Sequence, residues 1–313
     1  MQRNVILATE LAGGLPREKQ EEFLYKPAQI LQAPVEILGH ISPDDLKEHL
    51  RDLTRSGLTP IVTGGDGWFS YIINALPAGA TVGYFPMGTG MAALHELHDI
   101  DFKDTLALTY PTGVGKHFSP HEKFERIAIE IANGSPKSID LVVSEEFETK
   151  GLIGSVGIDA EIIERKCKLK DEGKSTPWAY LKGGLQAFRN FGKIEATITV
   201  DGKTHEVDDL LSILVMKFRF NGYGLHACPE AQLDGGDMYV RAVSGPKWRT
   251  GVKVMYSSIF SENSQGIRLQ GKQVEIDSSE PLSVQMYGDK VGSSSKTSFY
   301  SDVGGLKLII PQT

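Results

Sequence analysis

The 313-residue sequence contains few cysteines and fewer basic than acidic side chains. Cys167 and Cys228 are its two cysteines, and they lie far apart and outside any CxxC spacing. This pattern argues against a disulfide framework or a zinc site and favours buried thiols in a reducing compartment. Lysine and arginine number 33 against 40 aspartates and glutamates, which gives a net charge of −7. Because an acidic chain repels nucleic-acid phosphates, we expect no nucleic-acid partner.

Long apolar runs are lacking as well. The run at residues 5–8 is too short for the core of a signal peptide, and no segment approaches the roughly 20 apolar residues that span a bilayer. We therefore expect a cytoplasmic protein, which could still contact a membrane peripherally. The sequence does not predict the oligomeric state.

The first 133 residues alternate strand-like and helix-like segments. Ser42 is the expected N-cap of one helix, with Pro43 as its first residue. Such alternation predicts an α/β domain over residues 1–133, in which helices cover both faces of a parallel sheet. The predicted strands lie at 5–8, 34–38, 61–62 and 81–85, and the predicted helices at 42–50 and 69–76.

Strand-like segments dominate residues 134–299, where Gly, Pro, Asn, Asp and Ser separate them. Asp201-Gly202-Lys203 predicts a tight hairpin turn. The serine run Ser293–Ser295 is interpreted as a loop, and one helical island is expected at 160–191. This pattern predicts a β-rich second domain.

A glycine-rich loop follows the third predicted strand. Gly64, Gly65 and Gly67 allow backbone N–H groups to approach a ligand, and the helix that follows adds partial positive charge at its start. The loop therefore predicts a phosphate cradle. Asp66 would orient the N–H donors or bind the Mg²⁺ that accompanies a nucleotide. The alternative is a tight strand-to-helix turn that binds no ligand.

The order of strand, glycine turn and helix recurs in Pro86–Gly90. Two such loops at neighbouring strand ends of a parallel sheet converge at one edge, where ligands bind in this architecture. Gly88, Thr89 and Gly90 are therefore further candidates for nucleotide binding, and Thr89 offers a hydroxyl to a phosphate or a metal.

These motifs carry a likeness to a known family. Thr63–Gly67 and Pro86–Gly90 resemble the two nucleotide loops of the diacylglycerol kinase catalytic family, which includes sphingosine kinases and soluble bacterial lipid kinases. Gly154–Ala160 is similar to that family's mid-chain Gly-x-Asp-Ala signature. The likeness continues in order through Trp178–Leu185, Pro229–Ala231, Asp234–Gly236 and Gln270–Pro311.

The resemblance implies a nucleotide-binding domain, a C-terminal β-sandwich and a cleft between them, with the last strand, about 300–313, returning to the first domain. It also implies that the γ-phosphoryl group of ATP is transferred, with Mg²⁺, to a hydroxyl of a diacylglycerol-like or sphingoid-like lipid. The implied nucleotide-binding residues are Thr63, Gly64, Gly65, Asp66, Gly67, Trp68, Gly88, Thr89 and Gly90.

The sequence departs from the family at positions that matter for chemistry. Trp68 replaces a threonine of the first loop, and Met91 and Ala92 replace an Asn-Asp pair after the second. The family's late Asp-Gly-Glu, which is thought to supply the catalytic base, is replaced by Tyr287–Asp289. Asp66 and Asp289 remain as candidate catalytic residues, and Asp66 is also the candidate metal ligand. On a regular strand, Asp289 would share a face with Tyr287.

These departures leave a different class of function open. Phosphoryl transfer depends on positioning, metal and a base, so losing carboxylates could cost orders of magnitude in rate. The alternative is a catalytically impaired family member that acts as a nucleotide- or lipid-binding regulatory module. A kinase that acts on a soluble metabolite is a third interpretation.

Three further patterns are weaker. The basic run over 165–174 contains acids, which favours a solvated helix face over contact with anionic lipid head groups. His95 and His98 are spaced i and i+3, not the i and i+4 of a zinc protease, and solvent-facing positions are expected for both. His95 also occupies a place where members of the resembled family often carry arginine, so it could instead face the nucleotide. Thr112–Lys116 lacks the first glycine of a P-loop and is interpreted as a loop.

Overall fold

The computed structural model describes residues 3–10, 15–87, 92–98, 120–172, 176–221, 225–260 and 265–312. The chain divides into two compact units. The N-terminal unit comprises residues 1–139, 220–225 and 304–313, and the C-terminal unit comprises 140–219 and 226–303. Within the described residues, no helix is long and apolar enough to cross a membrane.

The N-terminal unit contains the predicted parallel sheet. Its first four strands run in the order β4-β3-β1-β2, and every neighbouring pair is parallel. The buried apolar runs at Val5–Ala8 and Ile61–Val62 fit strands that are covered on both faces. The strands are β1 (Arg3–Thr9), β2 (Val35–Leu38), β3 (Leu58–Gly64) and β4 (Thr81–Pro86).

Helices cover both faces of this sheet, as predicted. Phe85 contacts Phe124 of α5 with ring centroids 5.4 Å apart, whereas its neighbour Tyr84 stacks on Phe69 of α3 at 4.2 Å. Successive strand residues point to opposite faces, so α5 and α3 lie on opposite sides. The helices are α1 (Arg17–Leu31), α2 (Pro43–Arg55), α3 (Asp66–Ala75), α4 (Ala92–His98) and α5 (Pro120–Asn133).

The start of α2 confirms the predicted cap. The Ser42 hydroxyl accepts the backbone N–H of Asp45 at 3.2 Å, and Pro43 occupies the first helical position. Two helices of this unit, α1 and α5, were not predicted. α1 contains Pro27 in its interior, which is unusual for a helix.

The C-terminal unit is built on antiparallel strands. β14, β13, β10, β7, β15 and β16 are neighbours in that order, and the hairpins β5–β6 and β8–β9 join the same sheet. The strands are β5 (Ser135–Ser144), β6 (Thr149–Gly151), β7 (Ile153–Gly157), β8 (Ala196–Val200), β9 (Lys203–Val207), β10 (Leu210–Met216), β13 (Met238–Ser244), β14 (Ile267–Gly271), β15 (Gln273–Met286) and β16 (Asp289–Ile310). The short β11 (Phe220–Asn221), whose residues cluster with the N-terminal unit, pairs with β12 (Leu225–His226).

The last residues of β16 cluster with the N-terminal unit. Lys307 and Leu308 pair in parallel with Thr81 and Val82 of β4. A single strand of 22 residues thus contributes to both units.

One sequence prediction for the C-terminal unit, the serine loop, is wrong, whereas the predicted helical island is confirmed as two helices. Ser293–Ser295 lie inside β16, where Ser293 and Ser294 pair with Ser283 and Leu282 of β15. A run of small polar residues has no apolar alternation, so its strand pairing was hidden. The helical island at 160–191 is divided between α6 (Ile158–Asp171) and α7 (Thr176–Asn190), and a further helix, α8 (Lys247–Phe260), was missed.

The predicted hairpin turn at Asp201 and Gly202 is confirmed, with φ of 46° and 79°. Both residues adopt the left-handed conformation that two-residue hairpin turns require.

Two glycine-to-alanine substitutions should have opposite effects on stability. Nothing lies within 4 Å of a Cβ added at Gly202 or at Gly184, so neither change creates a clash. Gly202→Ala should lower the free energy of unfolding by about 1 kcal/mol because its φ is left-handed. Gly184→Ala, inside α7, should raise it by about 0.5–1 kcal/mol. Urea unfolding measures both, and a change of equal sign would contradict the turn geometry.

Candidate functional site

The glycine loop of the N-terminal unit connects β3 to α3. The Gly64 carbonyl accepts the backbone N–H of Met87 at 2.8 Å and the Tyr84 hydroxyl at 3.1 Å. A Cβ on Gly64 would lie 2.9 Å from Cδ1 of Trp68, so a larger residue there would displace the indole. The end of β3 is thereby held against the end of β4, where the second glycine motif begins.

The first turn of α3 has donors for an anion. Gly65 is its N-cap, with extended backbone (φ −86°, ψ 174°), and no side chain of the described residues makes a capping hydrogen bond there. The first N–H groups of a helix have no acceptor within the helix, and the helix dipole gives this end partial positive charge. The start of a helix can bind a phosphate if no other part of the protein covers it.

Asp66 links the two glycine motifs. Its Oδ2 accepts the backbone N–H of Ala92 at 3.1 Å, and its Oδ1 lies 3.4 Å from the Tyr84 hydroxyl. Burial raises the pKa of Tyr84 well above its usual range, and the Asp66 carboxylate raises it further. Tyr84 therefore stays protonated as a donor, and the Asp66 carboxylate orients the first turn of α4.

Trp68 lies directly on the loop. Its half-buried indole packs over Gly64, and its ring centroid is 5.7 Å from that of Tyr71. Within the described residues its buried indole N–H makes no hydrogen bond. A bulky ring thus takes the position of the small hydroxyl residue expected from the family.

Thr63 and the second loop are placed less directly. Thr63 is fully buried, and its hydroxyl lies 3.8 Å from the Met87 sulfur, so its side chain is not open to a ligand. The candidates Gly88, Thr89 and Gly90 lie outside the described residues, as do Met91 and Thr112–Lys116.

The prediction that His95 faces solvent is wrong. The side chain is buried in the N-terminal unit, and its ring lies 5.2 Å from that of Phe220. The helix packs this histidine inward because α4 lies against β11, which the sequence did not reveal.

The candidate base Asp289 lies in the C-terminal unit, at the start of β16. Tyr287 and Gly288 form a two-residue turn with φ of 46° and 96°, and Met286 pairs directly with Asp289. The expectation that Tyr287 and Asp289 share a strand face is therefore wrong. Tyr287 points inward against Phe218, with ring centroids 6.1 Å apart.

The surroundings of Asp289 favour its protonated form. Part of the residue reaches solvent, but the surrounding protein desolvates its carboxyl and raises its pKa, an effect that Lys166 opposes. A carboxylate with a raised pKa is a stronger proton acceptor.

The Gly154–Ala160 signature forms the turn from β7 into α6. Gly157 has φ of 103°, and a Cβ there would lie 2.6 Å from the Leu211 carbonyl, so the turn requires glycine. The Ser212 hydroxyl donates to the buried Asp159 carboxylate. Burial raises the pKa of Asp159, while Ser212 and Arg241 lower it.

Two residues of the basic run, Arg165 and Lys168, are paired with acids of α6. Arg165 contacts Glu161 at 3.2 Å, and Lys168 and Lys290 contact Glu164 at 2.7 and 2.6 Å. These pairs fit the solvated helix face that was favoured from the sequence.

A buried ion pair, which sequence reasoning missed, fixes the predicted glycine turn at Asp234–Gly236. The fully buried Lys217 ammonium donates to Asp140 at 3.2 Å, to the Asp237 carbonyl at 2.8 Å and to the Ser301 hydroxyl at 2.7 Å. The Asp140 carboxylate also accepts the Gly236 N–H at 2.7 Å. A lysine inside the apolar run at 210–218 was the signal that could have revealed it.

The second half of the chain matches a known domain family. Residues 153–308 match the family described as the YegS C-terminal NAD kinase beta sandwich-like domain. This part of the chain, just under half of its length, belongs to that domain family. The resemblance to the diacylglycerol kinase family is thus confirmed in the C-terminal half, which has the expected sandwich domain.

Solved structures support the same fold over the whole chain. A Bacillus anthracis str. Sterne protein provisionally named a diacylglycerol kinase has a TM-score of 0.70 at 17% identity, covering 99% of this chain and 97% of its own. A second structure, of a diacylglycerol kinase from the same organism, has a TM-score of 0.67 at 17% identity, with 99% and 97% coverage. No curated protein sequence matches. The fold is therefore diacylglycerol kinase-like.

Removing one partner of the buried ion pair should be costly and dependent on pH. Burial already lowers the pKa of Lys217, an effect that Asp140 opposes. Asp140→Asn should lower the free energy of unfolding by about 3–5 kcal/mol. It should also lower the Lys217 pKa further, so the folded state binds fewer protons than the unfolded state over a wider range below pH 10.5.

The unfolding free energy of Asp140→Asn should therefore rise with pH in that range, which urea titrations at several pH values would show. Asp140→Asn combined with Lys217→Met removes both charges and is the matched control, so its curve should lack this slope. An equal slope in both variants would contradict the assignment to Lys217.

Proposed function

We propose that this protein is an ATP-dependent kinase of the lipid type, which transfers the γ-phosphoryl group to a hydroxyl of a diacylglycerol-like or sphingoid-like lipid. The observation that carries the proposal is the glycine loop between β3 and α3, where no side chain of the described residues makes the capping hydrogen bond at Gly65. A parallel sheet that ends in such a loop is suited to a nucleotide phosphate. The family likeness supplies the reaction class.

The nucleotide would contact Gly64, Gly65 and Gly67 through their backbone, and Gly88, Thr89 and Gly90 would complete the cradle. Asp66 serves best as an orienting group, because its oxygens already contact Ala92 and Tyr84. The first turns of both helices would then stay fixed while the phosphates bind.

Mg²⁺ fits this site only as a partner of the nucleotide. Among the described residues no group of three acidic, histidine or cysteine side chains could hold a metal by itself. Mg²⁺ is usually held by substrate phosphates and one or two carboxylates, and Asp66 is the candidate here. When bound, the ion would neutralise charge on the transferred group.

Asp289 would accept the proton of the acceptor hydroxyl. Although the residue is exposed, the surrounding protein raises the pKa of its carboxyl by desolvation, which strengthens it as a base. The lipid acceptor further implies peripheral contact with a membrane. Transfer to soluble alcohols only would favour the kinase of a soluble metabolite.

A second function is supported by Trp68. Its indole packs over Gly64, so the ring narrows the space beside the loop. A protein that binds a nucleotide or a lipid without turnover, as a regulatory module, would tolerate this change better than an active kinase would.

Nucleotide binding can be read from Trp68 itself. In a Trp178→Phe, Trp248→Phe variant the only remaining indole is that of Trp68, and ATP with Mg²⁺ should change its fluorescence saturably. At 100 times Kd, ATP should also stabilise the protein by roughly 2.7 kcal/mol. Gly65→Asp should abolish both effects, because an aspartate N-cap occupies the helix donors and repels phosphate while it preserves the helix.

The matched control is Ser42→Asp, which makes a similar cap change at the start of α2 and should leave ATP binding unchanged. An ATP effect that survives in Gly65→Asp would show that the nucleotide binds elsewhere. No ATP effect in the parent variant would rule out nucleotide binding at this loop.

The role of Asp289 separates the two functions. If the protein is a kinase, Asp289→Asn should lower the rate of phosphate transfer from radiolabelled ATP to lipid by about 100-fold or more, with ATP affinity unchanged. Asp208→Asn, at another exposed aspartate of the same unit, should have no effect. ATP binding without transfer to any diacylglycerol or sphingoid base in the parent protein would establish the regulatory alternative.

A further inference from the structure

Helix α8 of the C-terminal unit exposes a row of large apolar side chains. Trp248, Val252 and Tyr256 are 51%, 68% and 65% exposed. They are spaced four residues apart, so they lie along one face of the helix. Single exposed apolar residues are ordinary, but a row on one face marks a contact surface.

Helix α7 contacts the start of α8 and also exposes large apolar side chains. Trp178 and Leu185 are 66% and 54% exposed. The ring of Phe188 lies 5.6 Å from that of Trp248, and a Cβ on Gly251 would lie 2.4 Å from Phe188. The two helices therefore approach closely at a glycine. We name the exposed side chains of 176–190 and 247–260 the α7–α8 surface.

The α7–α8 surface carries charge of one sign. Neither helix contains an aspartate or glutamate, although the whole chain has a net charge of −7. Arg189, Arg249 and Lys253 are exposed. The Lys247 ammonium donates to the Arg189 carbonyl at 3.1 Å, which holds the start of α8 to the end of α7. The α7–α8 surface is thus basic and aromatic, on a chain whose net charge is negative.

We propose that the α7–α8 surface docks on an anionic lipid bilayer. Tryptophan and tyrosine side chains favour the membrane–water interface, and basic side chains near them are attracted to anionic head groups. Helices with this pattern lie on a bilayer rather than cross it. A nucleic-acid partner is disfavoured by the net charge of the chain.

This inference rests on the proposed function, because a lipid acceptor in a bilayer would explain why the protein docks there. Docking itself requires neither nucleotide nor catalysis. Vesicle binding is therefore measured without nucleotide, and the fluorescence of Trp68 reports ATP binding separately. Absence of vesicle binding would not contradict ATP binding, and absence of ATP binding would not contradict vesicle binding.

The apolar part of the proposal is tested by flotation with vesicles. The protein should bind phosphatidylcholine vesicles that contain about a third phosphatidylglycerol, bind pure phosphatidylcholine far less, and lose affinity as salt rises. Val252→Ser should weaken binding about tenfold. Val303→Ser is the matched control, because Val303 is 62% exposed on β16, and it should leave binding unchanged.

The basic part is tested by neutralising charge. Arg249→Gln with Lys253→Gln should weaken binding to the anionic vesicles about 25-fold, at about fivefold for each side chain. Lys47→Gln with Arg51→Gln removes two exposed basic residues at the same spacing on α2 and should change nothing.

Absence of binding to anionic vesicles would overturn the proposal. So would equal losses in the test and control variants, since binding would then not involve this surface. Binding to heparin that the α8 variants weaken, without any vesicle binding, would assign the surface to a polyanion other than a bilayer.

Discussion

The carboxylate of Asp66 holds together the part of the N-terminal unit on which the candidate site depends. It accepts the first N–H of α4 at Ala92 and lies beside the hydroxyl of Tyr84, while that hydroxyl also contacts the Gly64 carbonyl. The end of β3, the end of β4 and the first turns of two helices are thus fixed by one buried network. Phosphate binding through backbone donors requires such preorganisation, because a mobile loop would have to be ordered at each binding event.

The C-terminal unit uses the same kind of contact at its own turns. Asp140 accepts the Gly236 N–H, and Asp201 accepts the N–H groups of Lys272 and Gln273. In each case a carboxylate fastens a backbone segment distant in sequence. An aspartate beside a glycine turn therefore need not be catalytic, and Asp66 combines a structural role with the candidate role at a nucleotide.

The sequence predicted the elements that have a clear local pattern. The strands of the N-terminal sheet are continuous apolar runs, and Ser42 with Pro43 marks the start of α2. The failures have physical causes. Ser293–Ser295 form strand because β15 pairs with them, and Tyr287 adopts a positive φ, which is uncommon for an aromatic residue. The lysine inside the apolar run at 210–218 is a local sign of a buried charge, but its three partner oxygens are distant in sequence and could not be predicted.

The glycine loop and its aspartate could be found from the sequence, but the position of Trp68 over Gly64 could not. We infer that the first turn of α3 binds the phosphates of a nucleotide. The most direct test of this inference is backbone amide hydrogen exchange across residues 65–69, with and without ATP and Mg²⁺. Exchange at these amides should be slower when ATP is present. Unchanged exchange there, with ATP bound and another segment protected, would contradict it.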